Sequence, residues 1–320
     1  MSELRLIAEH FARLGADRPD VRLGVGDDCA LLQVAAGCEL AVSIDTLVSG
    51  VHFLSDSDPE GLGHKALAVG LSDLAAMGAE PAWATLALTL PAADDGWISA
   101  FARGFAALAS AHRVALVGGD LTQGPLSMTV QVHGLVPAGQ GIRRSGARPG
   151  DLVCVSGTLG DAGLALTLLQ EGAPVAADLR ERLERPTPRV ALGLALRGLA
   201  TAMIDLSDGL AADLGHILAA SGLGAEVELA RLPLSPALAR QVAECEAWGL
   251  PVASGDDYEL CFTVPPARAR ALAVAARRAC CPVAVIGRVR SLSGLVFTRP
   301  DGTPWQPQRL GYDHFPAAAE

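Results

Sequence analysis

Aspartates recur beside short apolar runs in this 320-residue chain. Asp28 comes just before the run 29–34, and Asp45 comes just after the run 40–44. Both runs have strand length, and a hairpin through residues 35–37 would bring the two carboxylates to one end of a sheet. Carboxylates held that closely repel one another, and a hard cation such as Mg²⁺, which takes oxygen ligands, relieves the repulsion. The stretch therefore predicts a magnesium site.

Three further segments present aspartates next to apolar strands or on an apolar helix: Leu71-Ser72-Asp73, Gly118-Gly119-Asp120 and Ile204-Asp205-Leu206-Ser207-Asp208. Asp73 lies in the middle of a predicted helix, with no lysine or arginine within helical reach. For any one of these aspartates a helix cap or a turn is an equally good explanation. All five segments together favour a single multi-metal site.

Composition excludes several functional classes. The net charge of −10 argues against a nucleic-acid partner held by a basic surface. Lys65 is the only lysine, so the glycine-rich phosphate loop that ends in Gly-Lys-Ser/Thr is impossible. The seven cysteines include no Cys-x-x-Cys pair and are typical of free thiols in a reducing compartment. No signal peptide or membrane span is indicated, and we expect a cytoplasmic protein.

Phosphate chemistry carried by metal ions fits the remaining pattern. Mg²⁺ bridges phosphate oxygens and neutralises the charge that develops in phosphoryl transfer. Gly118 and Gly119 would let the backbone approach a phosphate closely. Arg143 or Arg144, in a predicted loop, is a candidate for a bidentate grip on a nucleotide phosphate, although a solvated arginine explains either residue equally well.

The predicted elements include a helix that begins at Asp58-Pro59, a helix over Asp94–His112, a short strand over Val114–Val117, a strand over Leu126–Val136 and a polar linker over Ala173–Pro188. The order of the predicted elements indicates two domains, each mixing strands and helices. A Gly/Pro-rich segment, 137–150, is the best candidate for the boundary between them. We therefore expect an N-terminal domain over 1–148 and a C-terminal α/β domain over 149–320.

Several short motifs, in this order, resemble the thiamine-monophosphate kinase family, which belongs to the superfamily of aminoimidazole ribonucleotide synthetase and selenophosphate synthetase. The resemblance spans almost the whole chain and rests on these segments: Gly24–Ala30, Asp45–Phe53, Lys65–Gly78, Gly118–Asp120, Arg144–Ala147, Ile204–Leu210, Gly255–Leu260 and Gly311–Phe315.

The resemblance implies ATP-dependent phosphorylation of thiamine monophosphate to thiamine diphosphate, with several Mg²⁺ ions. It also implies the two-domain aminoimidazole ribonucleotide synthetase-like fold, of mixed α+β and α/β class. In that fold a four-stranded N-terminal sheet forms a barrel with the sheet of a partner subunit, and a C-terminal α/β sandwich follows. The resemblance also implies that the N-terminal domain, 1–148, binds metal and ATP and dimerises. The expected assembly is a homodimer, and the apolar strands 81–90 and 126–136 suit the joining of the sheets.

By match to the family motifs, individual residues receive roles. The metal ligands would be Asp28, Ser43, Asp45, Asp73, Asp120, Asp205 and Asp208. Asp45, Asp120 and Asp208 among them would be catalytic. ATP would contact Gly119, Asp120, Arg144 and Ser207, and thiamine monophosphate would contact His52, Asp256 and Tyr312.

Two positions depart from the family pattern. Ile44 stands where the family often has threonine, so a metal contact there would use the backbone carbonyl. Asp256 stands where the family often has glutamate, and its side chain is one methylene shorter. The reach of Asp256 to the substrate is therefore open.

The expected mechanism is direct transfer, because the attacking phosphate oxygen of thiamine monophosphate is already ionised at neutral pH. Catalysis would then come from in-line positioning and charge screening, and His52 would donate to the phosphate, not act as a base. The alternatives are another ATP-using enzyme of the superfamily and a metal-dependent phosphate-binding protein without turnover. Residues 1–20 lack the reactive cysteine and glycine-rich segment of selenophosphate synthetases.

Overall fold

A computed structural model describes residues 3–315 and divides the chain into two compact units. The first unit comprises residues up to Leu74, 79–141 and 184–190, and the second comprises 75–78, 142–183 and the chain from Ala191. The segment 184–190 belongs to the first unit, where Arg185 forms an ion pair with Asp58 at 3.2 Å. No helix in the described part of the chain is long and apolar enough to cross a membrane.

The first unit consists of a four-stranded sheet, a two-stranded sheet and three helices. Its elements, in chain order, are α1 (Glu3–Leu6, continued as a π-helix over Ile7–Phe11), β1 (Val21–Leu23), β2 (Leu31–Leu32), β3 (Cys38–Val48), α2 (Pro59–Ala76), β4 (Glu80–Leu90), α3 (Asp95–Ala111), β5 (Ala115–Gln123) and β6 (Ser127–Pro137).

Strand order in the larger sheet is β3-β6-β4-β5, so β3 and β5 are its edges. The predicted hairpin between 29–34 and 40–44 is wrong: β2 pairs with β1, and β3 pairs along its whole length with β6. An eleven-residue strand gains far more ladder hydrogen bonds from an equally long partner than from a two-residue one. The predicted dimer strands β4 and β6 are likewise interior strands, not edges.

Both long helices of the first unit begin where the sequence predicts. Asp58 Oδ2 accepts a hydrogen bond from the Gly61 N–H at 2.8 Å and caps α2, and Asp94 caps α3 in the same way. Helix α2 packs on one face of the sheet, since a Cβ at Gly70 would meet the Val132 side chain of β6 at 3.0 Å. That packing brings Asp73, one turn further along α2, to the same face.

The second unit is built on a seven-stranded sheet. Its elements are β7 (Leu152–Ser156), α4 (Asp161–Gln170), α5 (Ala177–Glu184), α6 (Val190–Ala195), β8 (Ala202–Asp205), α7 (Leu210–Ser221), β9 (Gly224–Glu228), α8 (Pro236–Cys245), α9 (Gly249–Ala253), β10 (Leu260–Val264), α10 (Ala269–Arg278), β11 (Val283–Arg290), β12 (Gly294–Thr298) and β13 (Pro304–Trp305).

Strand order in this sheet is β13-β12-β9-β11-β7-β10-β8, and all pairs except β9 with β12 are antiparallel. Strands β7, β8 and β10 are buried along their full length, which explains their nearly continuous apolar sequences. The segment after α4, which the sequence suggests is a polar linker, contains helix α5. Leu179 and Leu183 bury one side of that helix, so two apolar residues at helical spacing outweigh the polar composition.

Candidate active site

Two acidic residues of the first unit meet where α2 crosses the sheet. Ser43 donates a short hydrogen bond from its hydroxyl to Oδ2 of Asp73. Asp45, which follows Ser43 by two residues and so shares its face of β3, is hydrogen-bonded to Asp73 as well. The strand extends to Val48, so Asp45 lies in its middle and not at its end as the sequence predicts. The pairing of Ser43 and Asp45 with Asp73 agrees with the sequence-based grouping.

The electrostatics of this pair fit a cation. Burial, the nearby charge of Asp73 and the hydrogen bond between the two carboxyls raise the pKa of Asp45 to about 7. Oδ2 of Asp45 is buried and has no hydrogen-bond partner among the described residues. A buried oxygen acceptor beside a second carboxylate and a hydroxyl is a suitable ligand set for Mg²⁺. The residues therefore fit the expected ion.

Asp120 lies inside β5, because that strand continues through Gly118 and Gly119 to Gln123. The cross-strand register places Asp120 in a row with Ala87, whereas Asp45 lies in the neighbouring row, which ends at Gly119. Successive residues of a strand point to opposite faces. The side chains of Asp45 and Asp120 therefore lie on opposite faces of the four-stranded sheet, a separation that the sequence does not reveal.

Gly119 and Asp120 line a small cavity at the β5 edge. The cavity is partly open to solvent, and its walls include Phe11, Leu86 and Leu116. A Cβ on Gly119 would lie 1.9 Å from the Leu86 carbonyl oxygen, so only glycine fits at this point. An apolar cavity with a carboxylate at its wall is a common form of binding site.

Asp28 is exposed in the turn before β2, and its backbone N–H donates to Oδ1 of Asp27 at 2.8 Å. It does not form a three-residue ligand cluster with Asp45 and Asp73. Within residues 3–315, the one set of three such side chains whose ligand atoms lie within 4.8 Å is Glu9, His10 and Asp95. The role of Asp28 stays a prediction.

His52 lies in a tight loop after β3 that Gly50 opens with a positive φ of 77°. The Val48 N–H donates to Nδ1 of His52 at 3.0 Å. Because Nδ1 accepts this bond, the neutral ring carries its proton on Nε2. In this tautomer Nε2 is a hydrogen-bond donor, and the contact of His52 with the substrate phosphate stays a prediction.

In the second unit the loop after β8 carries Ser207 and Asp208, and Asp205 ends the strand as a buried residue. Asp213, in the first turn of α7, accepts hydrogen bonds from the N–H groups of Asp208 at 3.1 Å and Gly209 at 3.0 Å. Burial raises the pKa of Asp213 to about 7, against the opposing effect of the Gly209 N–H. Sequence reasoning missed Asp213; its position in the first turn of a helix was the available signal.

A second loop, 255–259, is joined to the first by backbone hydrogen bonds. Asp256 donates its N–H to the Ser207 carbonyl at 2.9 Å. Tyr312 donates its N–H to the Asp208 carbonyl at 3.0 Å. The structure therefore brings together Ser207, Asp208, Asp256 and Tyr312, which the sequence assigned to metal, ATP and substrate.

Buried charges hold this second loop in place, and the sequence analysis assigned a role to none of them. Arg182 donates from one guanidinium nitrogen to Oε1 of Glu259 at 2.9 Å, and Ser156 donates to the other carboxylate oxygen at 2.5 Å. Asp257 accepts from the Gly160 N–H at 2.7 Å, and burial raises its pKa well above the ordinary value. These partners lie far apart in sequence, so no local pattern could pair them.

Arg144 is exposed in the segment that follows β6, and no hydrogen bond of its side chain is seen in the described part of the structure. The adjacent Arg143 is held by its backbone, since its carbonyl accepts from the Met203 N–H at 2.9 Å. Arg144 is thus presented next to β8, and its ATP contact remains a prediction.

Two family models match the chain: the N-terminal domain of AIR synthase related proteins over residues 26–136 and the C-terminal domain over residues 148–298. Thiamine-monophosphate kinase of Escherichia coli (strain K12) is 51% identical over 98% of both chains. A crystal structure of thiamine-monophosphate kinase from Stenotrophomonas maltophilia K279a is 50% identical, with a TM-score of 0.84 over 89% of this chain and 92% of that one.

A solved structure of AaThiL complexed with AMPPCP and TMP is 31% identical, with a TM-score of 0.76 over 88% of this chain and 89% of that one. The Escherichia coli enzyme shares about half of its sequence with this chain over nearly the full length of both proteins. Both family models, one for each domain, match as well. These similarities confirm the fold class and the resemblance that the motifs indicate, and the chain belongs to the thiamine-monophosphate kinase family of AIR synthase related proteins.

Proposed function

We propose that this protein transfers the γ-phosphoryl group of ATP to thiamine monophosphate and releases thiamine diphosphate and ADP. The observation that carries the proposal is the pair Asp45 and Asp73, in which a buried Asp45 oxygen has no hydrogen-bond partner within residues 3–315. Family membership supplies the reaction class, and the AaThiL complex with AMPPCP and TMP supplies a precedent for both substrates.

Transfer is direct and in line in this proposal. A phosphate oxygen of thiamine monophosphate forms the new P–O bond as the bond from the γ-phosphorus to the β,γ-bridging oxygen breaks. The electron pair leaves with ADP. The nucleophile is already ionised, so no side chain has to remove a proton, and His52 donates a hydrogen bond from Nε2 to the accepting phosphate.

Mg²⁺ is the proposed metal. In the first unit the ligands would be Asp28, Ser43, Asp45, Asp73 and Asp120, and in the second unit Asp205 and Asp208. Bound there, the ions would neutralise phosphate charge. Gly119, Arg144 and Ser207 would contact ATP, and Asp256 and Tyr312 would contact the thiamine portion. We retain 1–148 and 149–320 as the proposed functional domains, and the cytoplasm as the proposed location.

A homodimer is also proposed. Edge strand β3 exposes three apolar side chains on one face, with Leu40 45%, Val42 49% and Ile44 61% exposed. An exposed apolar edge strand invites pairing with a second copy. The sheet face of β3, and not the interior strands β4 and β6 alone, would thus contribute to a barrel between subunits.

The test incubates the purified protein with Mg-ATP and thiamine monophosphate and measures thiamine diphosphate and ADP. Equal amounts of both products, with no reaction after chelation of the metal, are expected. An ATP whose γ-phosphate is chiral by oxygen isotopes should give inverted configuration. Retention would overturn direct transfer, and binding without turnover would favour a regulatory protein.

A further inference from the structure

The loop 255–259 adopts a backbone that its residues disfavour. Asp256 has φ of 61° and Tyr258 has φ of 49°, both in the left-handed region. Aspartate visits this region occasionally, but an aromatic residue does so rarely, because its Cβ crowds the following carbonyl. Such strain persists only where the surroundings enforce it, and it is often found at functional sites.

The surroundings do enforce it here. Asp257 and Glu259, the residues on either side of Tyr258, are 2% and 0% exposed. Arg182 donates to the Glu259 carboxylate at 2.9 Å and to the Asp257 carbonyl at 3.3 Å. Tyr258 itself donates its N–H to the Leu206 carbonyl at 2.8 Å. The backbone of the loop is therefore held on both sides independently of the Tyr258 hydroxyl.

The strained conformation places the Tyr258 side chain against Asp256. The phenol hydroxyl donates a hydrogen bond to Oδ1 of Asp256 at 3.0 Å. The Tyr258 residue is 7% exposed, whereas Asp256 is only half-buried. A buried phenol therefore fixes the orientation of a carboxylate that is accessible from solvent.

We propose that Tyr258 is a positioning residue, whose hydroxyl holds the Asp256 carboxylate in the orientation that binds the thiamine portion of the substrate. The inference rests on the proposed function, in which Asp256 contacts that substrate. The chemical class recognised is a pair of linked heteroaromatic rings, one of which bears an amino group and the other a positive charge. A carboxylate attracts such a group, and the ring of Tyr312, on the adjoining loop and 43% exposed, offers it an aromatic face.

The decisive variant is Tyr258→Phe, which removes the hydroxyl and keeps the buried ring. We expect KM for thiamine monophosphate to rise roughly three- to tenfold, the range of one ordinary hydrogen bond, because the hydroxyl acts on the substrate only through Asp256. KM for ATP and kcat should stay within about twofold, because the variant leaves ATP contacts in place. Thr167→Val is the matched control: it deletes a hydroxyl that bonds the Gly163 carbonyl in α4, and all constants should be unchanged.

A double-mutant cycle separates positioning from a structural role. In an Asp256→Ala background, Tyr258→Phe should add less than about twofold to KM, because its acceptor is gone. The inference would be overturned if the two changes acted independently, or if Tyr258→Phe left KM for thiamine monophosphate unchanged. Equal increases in KM for thiamine monophosphate and KM for ATP, together with a lower melting temperature, would also overturn it.

The same variants, titrated calorimetrically with thiamine monophosphate and Mg²⁺ without ATP, distinguish the two levels of proposal. If the wild type binds but does not phosphorylate, the proposed function fails, and a raised Kd in Tyr258→Phe still supports the inference. If the wild type phosphorylates and Tyr258→Phe matches it, only the inference fails. A wild type that neither binds nor phosphorylates overturns both.

Discussion

At the scale of single residues, the environment of Asp45 differs strongly from that of an ordinary surface carboxylate. Asp45 lies two residues after Ser43 on the face of β3 that meets α2, where its carboxyl interacts with that of Asp73. Burial and the second carboxyl both disfavour its ionised form, which is why its pKa is raised to about 7. A divalent cation would favour the ionised form again. The pair of carboxyls therefore destabilises the folded protein without metal and would stabilise it once a cation is bound.

We expect Asp45→Asn to lower kcat by roughly a thousandfold or more, since one ligand and one charge are lost at the reacting phosphates. The fold should be retained, and the melting temperature of the metal-free variant should equal or exceed that of the wild type, because a buried carboxyl pair is removed. Steady-state kinetics and thermal unfolding check this.

Thermal unfolding with and without Mg²⁺ provides the second measurement. Mg²⁺ should raise the melting temperature of the wild type, because a ligand that binds only the folded state stabilises it. That increase should shrink in Asp45→Asn and persist in Asp178→Asn, whose carboxylate is exposed at the start of α5. Near-normal activity of Asp45→Asn would show that the metal assignment is wrong.

At the scale of elements, two glycines on β5 illustrate how a strand carries a site. The Gly119 backbone lies so close to β4 that no side chain fits, whereas a Cβ at Gly118 would meet only the Thr85 methyl, at 3.9 Å. Position 119 must therefore remain glycine to keep β5 against β4. On its other side the Gly119 backbone is exposed to solvent, next to Asp120.

We expect Gly119→Ala to destabilise the protein by about 2 kcal/mol or more, because β5 must move away from the Leu86 carbonyl. Gly118→Ala should change the free energy of unfolding by less than about 1 kcal/mol. Urea unfolding of both variants measures the difference. Equal losses in the two variants would contradict the steric argument.

In the second unit, the loop 255–259 is held by a buried ion pair between Arg182 and Glu259. The Glu259 side chain is fully buried and Arg182 is 19% exposed, whereas the comparable surface pair Arg231 and Glu228 is 54% and 48% exposed. Loss of one partner from a buried pair leaves an uncompensated charge, whereas a solvated pair loses little.

We expect Arg182→Met to lower the free energy of unfolding by about 3 kcal/mol. Arg231→Met, on the surface pair, should lower it by less than about 0.5 kcal/mol. Denaturant titration of each variant against the wild type provides the comparison. Similar, small losses for both would mean that the buried pair does not hold the loop.

At the scale of the whole molecule, the exposed face of β3 bears on assembly. Leu40, Val42 and Ile44 alternate along this edge strand and point away from α2, whereas Ser43 and Asp45 point toward it. The strand β3 thus presents two different faces, with acidic and hydroxyl groups on the inner face and exposed apolar side chains on the outer face.

Charge on the outer face should prevent assembly. We expect Val42→Lys to convert a dimer to a monomer in analytical ultracentrifugation, because a lysine in an apolar interface must be desolvated. Leu292→Lys changes a residue that is 74% exposed in the second unit and should leave the mass unchanged. A wild type that sediments as a monomer, or a Val42→Lys variant that remains dimeric, would contradict this interface.

Local sequence patterns predicted most of the elements, because caps and periodicity act over a few residues. Asp58 before Pro59 marks the start of α2, and the alternation before Pro137 marks β6. The same reasoning overlooked α9 and β13, which are too short for a periodic signal. It also ended β5 too early, since glycines usually interrupt a strand, whereas here Gly119 is required for close packing.

The sequence by itself determined which residue types are available for chemistry: aspartates beside apolar runs, a glycine pair without a lysine loop, and motifs that indicate the family. Only the tertiary structure decided how they are grouped. Register placed Asp45 and Asp120 on opposite faces, helix packing joined Asp73 to Ser43, and long-range contacts set Arg182 beneath the loop of Asp256. The reason is physical: residue chemistry is local, whereas strand partners and buried charge pairs depend on contacts between distant parts of the chain.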